Sequence, residues 1–130
     1  MQNEPRNESL LVVEDDDSVR EFSIRMLKGL GYNVFSASNG QEALEMFKNQ
    51  ASQINMVITD MVMPNMTGAQ FVEAARQIDK DIKIMLVSGY GPDDTEDGIA
   101  LGKSVAFFQK PYTRDQLSKK IRDVLDGKMS

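Results

Sequence analysis

The sequence predicts an α/β fold: one five-stranded parallel sheet with helices on both faces. Three observations predict it. Apolar runs too short for helices alternate along the chain with amphipathic stretches at helical spacing. Four of those stretches open on Ser, Asn or Thr followed three residues later by Glu or Gln, the spacing of a helix capping box. The connections are short, as they are when each helix carries the chain back to begin the next parallel strand.

Each element can be justified in order. Leu10-Leu11-Val12-Val13 is a continuous apolar run, as expected of a strand covered on both faces. Four acids follow it, Glu14 to Asp17, and then Ser18 and Glu21 cap a helix with Val19, Phe22, Met26 and Leu30 at helical intervals, closed by Gly29 and Gly31. Residues 33–36 form the second strand; Asn39 and Glu42 open the second helix, with Ala43, Leu44 and Phe47 as its stripe. Residues 54–59 form the third strand, which ends abruptly on Asp60. Pro64 and Gly68 then break the backbone, and Thr67 and Gln70 cap a third helix that buries Phe71, Val72, Ala75 and Ile78. Residues 82–87 are the fourth strand. Residues 93–102 carry acids and glycines with little to bury, which predicts a short, loosely held helix. Residues 105–108 are the fifth strand, and Thr113 with Gln116 caps a last helix burying Leu117, Ile121, Val124 and Leu125. Residues 1–8 read as a polar tail and 9–127 as one domain.

Composition narrows the chemistry. A chain of 130 residues with net charge −5 has the size of one ordinary domain and lacks the basic surface that nucleic acid or an anionic membrane requires. With no cysteine and no histidine there is no disulfide, no Cys- or His-based zinc site, no thiol nucleophile and no imidazole base. Carboxylates, lysine, hydroxyls or a bound ion must do the work. Residues 1–8 lack the apolar core of a signal peptide, and no stretch nears the roughly 18 apolar residues that span a bilayer. The expectation is a soluble, cytoplasmic protein that binds neither membrane nor nucleic acid directly.

Right-handed crossovers leave few topologies open, among them the flavodoxin-like three-layer (βα)5 arrangement with strand order 2-1-3-4-5, which is the expectation here. Its switch point lies between the first and third strands, the two that end on Glu14-Asp15 and on Asp60. Three carboxylates then meet in one crevice, where two unit charges 4 Å apart repel by about 4 kcal/mol at an effective dielectric near 20. Such a cluster needs a cation. Oxygen donors alone suit Mg²⁺, with Mn²⁺ the other fit, and the spacing is unlike a calcium loop. Asp16 and Asp17 read as helix cap or solvated loop, whereas Lys110, before Pro111 at the end of the fifth strand, belongs to the crevice.

These residues carry a resemblance. Val12-Val13-Glu14-Asp15, Asp60-x-x-Met63-Pro64-x-x-x-Gly68, Ser88 and Lys110-Pro111 are similar, in order and spacing, to the receiver domain of two-component response regulators, of the chemotaxis-regulator (CheY-like) type. The resemblance implies that Asp60 accepts a phosphoryl group from a phosphohistidine on a sensor histidine kinase or phosphotransfer protein. It implies that Glu14, Asp15, Asp60 and the Val62 backbone carbonyl hold Mg²⁺, and that Lys110 and Ser88 contact the phosphate. Phosphorylation would move Ser88 and Phe107 and reshape a partner surface around residues 93–113, the protein being a monomer or a phosphorylation-dependent dimer. Val62 and Tyr90 would border the path of the water that removes the phosphate. Two positions depart from the usual pattern: Glu14 stands where many members have Asp, and Phe107 where many have Tyr.

The resemblance implies a signalling domain and not an enzyme, whether it stands alone or forms part of a larger kinase or regulator. Two alternatives share parts of the pattern. A flavin-binding protein of this topology needs a phosphate-friendly loop after the first strand, and here that loop is four acids. An aspartyl-phosphate phosphohydrolase typically needs a second acid two residues past its nucleophile, and position 62 is valine.

Overall fold

The computed structural model describes residues 8–50, 52–60, 62–63, 66–88, 105–109 and 113–127. Its strands are β1 (Ser9–Val13), β2 (Asn33–Ala37), β3 (Met56–Asp60), β4 (Val62–Met63), β5 (Met66–Thr67), β6 (Lys83–Ser88) and β7 (Ala106–Gln109). The described helices are α1 (Asp17–Gly29), α2 (Gly40–Gln50), α3 (Gly68–Ile78) and α4 (Arg114–Leu125). The main sheet runs β2-β1-β3-β6-β7, parallel throughout. That is the expected flavodoxin-like order 2-1-3-4-5 once β4 and β5 are set aside, because these two short strands pair with each other in a separate antiparallel hairpin. The hairpin occupies a stretch the sequence predicts as loop: two residues per strand are too few to show a period of two. Residues 93–102 lie outside the described part.

Alternation along the strands sorts the core into two halves. Leu11, Val13, Val57, Ile84 and Leu86 meet α2 and α3 through Ala43, Phe47, Phe71, Val72 and Ala75. Leu10, Val12, Met56, Ile58, Met85 and Val87 meet α1 and α4 through Leu27, Leu117, Ile121 and Val124. Successive side chains of a strand point to opposite faces, so each buried strand needs apolar residues at both parities, as the continuous runs supply.

The capping boxes expected at Thr67–Gln70 and Thr113–Gln116 are both present, each hydroxyl accepting from the backbone N–H three residues on. At α2, Asn39 accepts from the Glu42 N–H, while the Glu42 carboxylate turns back to the Ser38 N–H and hydroxyl. At α1 the expected Ser18–Glu21 box is corrected: the cap is Asp16, whose carboxylate accepts from the Val19 N–H at 3.0 Å. The stripe is corrected with it. Leu27 is the buried residue of α1, and Met26 and Leu30 are partly buried against the same core. Val19 is 40% and Phe22 66% exposed. At 3.6 residues per turn, Phe22 lies five residues from Leu27 and so on the far side of the helix. Arg20, seven residues from Leu27, shares its face. Gly31, just past α1, has φ 102°, a left-handed conformation that glycine adopts without a side-chain clash.

At the N-terminal edge of the sheet, Arg122 of α4 is 4% exposed and reaches back to the start of the chain. Its Nη1 and Nη2 donate to the two Glu8 carboxylate oxygens at 3.1 and 2.6 Å, and its Nη2 and Nε donate to Asp126 at 3.1 and 3.3 Å. Among the described residues no helix is long and apolar enough to cross a membrane.

Candidate functional site

The opposite, C-terminal edge gathers the acids. Two features bring Glu14 and Asp60 together. Alternation puts Glu14 on the face of Val12 and Asp60 on the face of Ile58, and the β1–β3 register pairs Val12 with Ile58. Two residues further on, the carboxylates leave the sheet on the same side at the same level. One carboxylate oxygen from each of Glu14, Asp15 and Asp60 lies within 4.8 Å of the others. Glu14 is buried, Asp60 half-buried and Asp15 exposed, so the cluster runs from the interior outward. Beneath it a cavity of about 30 Å³ opens between Val12, Ile58, Val87 and the α1 residues Val19 and Ser23.

Burial pushes the Glu14 carboxyl up, and its hydrogen bond with Asp60 and the Asp60 charge push it the same way, to about 8; the Asp16 N–H, donating to Glu14 Oε2 at 3.1 Å, pulls against them. Without a cation, then, the cluster favours a proton on Glu14. These three carboxylates would together hold a small divalent cation, which would neutralise their mutual repulsion. The donors are oxygens only, which fits a hard divalent cation.

The loop that carries the acids is tightly held. The Glu14 N–H donates to the Ala37 carbonyl at 3.1 Å, and Asp16 caps α1. Arg20 reaches back from α1, its Nη1 donating to the Glu14 carbonyl at 2.9 Å and its Nη2 to the Asp17 carboxylate at 2.6 Å. Sequence reasoning did not single out Arg20; it shares a helix face with Leu27, but that this face turns inward is tertiary information.

Among the other expected site residues, Ser88 ends β6, buried and paired in register with Gln109, the last residue of β7. Asp60 pairs with Val87, so Asp60 and Ser88 end neighbouring strands at the same edge, with Ser88 continuing the Ile84–Leu86 row on the opposite face. Phe107 pairs with Leu86 and is partly buried against the core that faces α2 and α3. The Val62 backbone pairs with Thr67 in the hairpin directly after the acid cluster. Lys110 and Tyr90 lie outside the described residues.

An open parallel sheet that gathers three carboxylates at its switch point, Asp60 among them at the end of the central strand, is the arrangement to set beside known proteins. The profile of the response regulator receiver domain matches residues 10–122. The sensor kinase CckA of Brucella abortus is 34% identical over 118 residues, which are 91% of this chain and 12% of the kinase. The receiver protein CpdR of Brucella abortus is 30% identical over 116 residues, 89% of this chain and 95% of its own length. The structure of the Thermotoga maritima response regulator TrrA in complex with Mg²⁺-BeF superposes with a TM-score of 0.76 at 28% identity, covering 90% of this chain and 98% of that one. The chain belongs to the response regulator receiver domain family, in its CheY-like form. It is a phosphoryl-accepting signalling domain of two-component systems.

Proposed function

We propose that Asp60 is the phosphoacceptor and that Glu14, Asp15, Asp60 and the Val62 carbonyl bind Mg²⁺ for the transfer. An Asp60 carboxylate oxygen attacks the phosphorus of a phosphohistidine on a sensor kinase or phosphotransfer protein. The P–O bond forms as the P–N bond breaks, and the imidazole leaves with the bonding electrons. When bound, Mg²⁺ supplies counter-charge to the phosphoryl oxygens, the principal demand of such a transfer. Ser88 donates its hydroxyl to the acyl phosphate, and Lys110, next in sequence after Gln109, supplies the ammonium that pairs with it. A small acyl phosphate serves as a second donor. The chain itself has no histidine to carry a phosphoryl group, so the donor is external.

The observation that carries this reading is the convergence of Glu14, Asp15 and Asp60 within 4.8 Å at the end of the central strand. The output follows from the same chemistry: recruitment of Ser88 and Lys110 to the phosphate shifts residues 93–102 and Phe107, and the face they form with β7 and α4 is read in the cytoplasm by a downstream partner. Incubating the protein with acetyl phosphate and Mg²⁺ and weighing it by mass spectrometry tests the assignment. One phosphoryl group should appear on the wild type and none on Asp60→Asn. Equal labelling of the two would remove Asp60 from its role.

A further inference from the structure

We infer that Arg20 is a positioning residue for the cation site, an inference that rests on the Mg²⁺ reading above and extends it to a residue outside the acidic cluster. Four acids in succession join β1 to α1. Such a loop repels itself, and backbone bonds alone leave open where its carboxylates point. From outside the acidic run, among the described residues, Arg20 donates two side-chain hydrogen bonds to this loop: Nη1 to the Glu14 carbonyl at 2.9 Å and Nη2 to Asp17 Oδ1 at 2.6 Å. The carbonyl it holds belongs to the peptide unit joining Glu14 to Asp15. Because that unit is planar, holding its carbonyl holds both Cα atoms in one plane and restrains the two rotations, ψ of Glu14 and φ of Asp15, that aim the acids. The Asp17 contact meanwhile pairs an acid outside the cluster with a cation.

Only 20% of the Arg20 side chain is exposed, so the guanidinium is packed against the loop it holds. Two acceptors on opposite sides of a turn require donors on separate nitrogens in a fixed plane, which a guanidinium has and a single ammonium lacks. Position and charge predict opposite signs when Arg20 is replaced. Loss of a positive charge beside the site, acting alone, favours a divalent cation. Loss of a group that orients the ligands disfavours it, commonly by roughly ten-fold or more.

The test is calorimetric titration of the unphosphorylated 130-residue chain with MgCl₂, with thermal unfolding of each variant alongside. Arg20→Gln should weaken Mg²⁺ binding by roughly ten-fold, Arg20→Lys should fall between it and wild type, and Arg25→Gln, which loses the same charge from an 84% exposed side chain of the same helix, should bind like wild type. Arg20→Gln binding as well as wild type, or more tightly, would overturn the inference, as would an equal loss in Arg25→Gln. If Arg20→Gln does not fold, Arg20→Lys carries the test, and wild-type affinity in that variant overturns the inference. A wild type that binds no Mg²⁺ would refute the metal reading itself and this inference with it, whereas intact wild-type binding with an unaffected Arg20→Gln refutes the inference alone.

Discussion

Among the described residues each of the two edges of the sheet buries one ionisable group, and they treat it in opposite ways. At the N-terminal edge Arg122, 4% exposed, lies between the Glu8 and Asp126 carboxylates, and these hydrogen bonds hold its guanidinium even more firmly protonated than usual. At the C-terminal edge Glu14, 7% exposed, faces Asp60 and Asp15, and burial together with Asp60 drives its carboxyl to about 8. A buried charge is tolerable where opposite charge and hydrogen bonds surround it. One edge is built to be complete, and the other to be completed by a ligand.

Substitutions should separate the edges by sign. Arg122→Met leaves Glu8 and Asp126 facing each other without their cation and should destabilise the protein by about 2–3 kcal/mol, less than for a fully buried pair because both acids keep some solvent contact. Asp60→Asn, by contrast, removes a charge that repels Asp15 and, at pH 9, ionised Glu14, and should there stabilise the Mg²⁺-free protein, on the order of 1–3 kcal/mol. Urea unfolding of the two variants in EDTA measures both. A destabilised Asp60→Asn protein would end the contrast.

Proton linkage sharpens it. The Glu14 carboxyl titrates near 4.5 in the unfolded chain and near 8 in the fold. Between these values the folded state keeps a proton that the unfolded state has released, so the group stabilises the metal-free fold below pH 4.5 and loses that contribution as pH rises through 8. The slope is at most about 1.4 kcal/mol per pH unit for one proton. Saturating Mg²⁺ should flatten this dependence, since the cation then neutralises the cluster. Melting temperatures from pH 5 to 8.5, with and without Mg²⁺, read the effect, and Glu14→Gln should flatten the metal-free curve. The smallest effect expected is that of Glu8→Gln, which keeps the shape of the clamp and loses one charge, at about 1 kcal/mol with no change in pH slope above 6.

Strand order and the two core faces were legible because continuous apolar runs report buried parallel strands and because Thr67–Gln70 and Thr113–Gln116 announce their helices. The acid cluster was legible for a topological reason: two strands ending on acid, placed side by side, must bring the acids together. The first turn of α1 was not. Asp16, Asp17 and Ser18 can each cap a helix, and a choice between them depends on where Arg20 and Leu27 point, which is tertiary information. Phe22 misled for the same cause, since an apolar residue at helical spacing reads as core until the axis of the helix is fixed by its neighbours. The Glu8–Arg122 clamp joins residues 114 positions apart and leaves no local pattern to read.

That separation also has a kinetic consequence. Strands β1, β2 and β3 are contiguous in the sheet and come from the first half of the chain, so their pairing can precede the rest. The bond from Glu8 to Arg122 requires α4 already docked and a loop of almost the whole domain closed. Contacts that form after the rate-limiting barrier slow unfolding without speeding folding. The clamp therefore acts as a lock set last: it governs how long a folded molecule stays folded, while the pace of reaching that state belongs to the central strands.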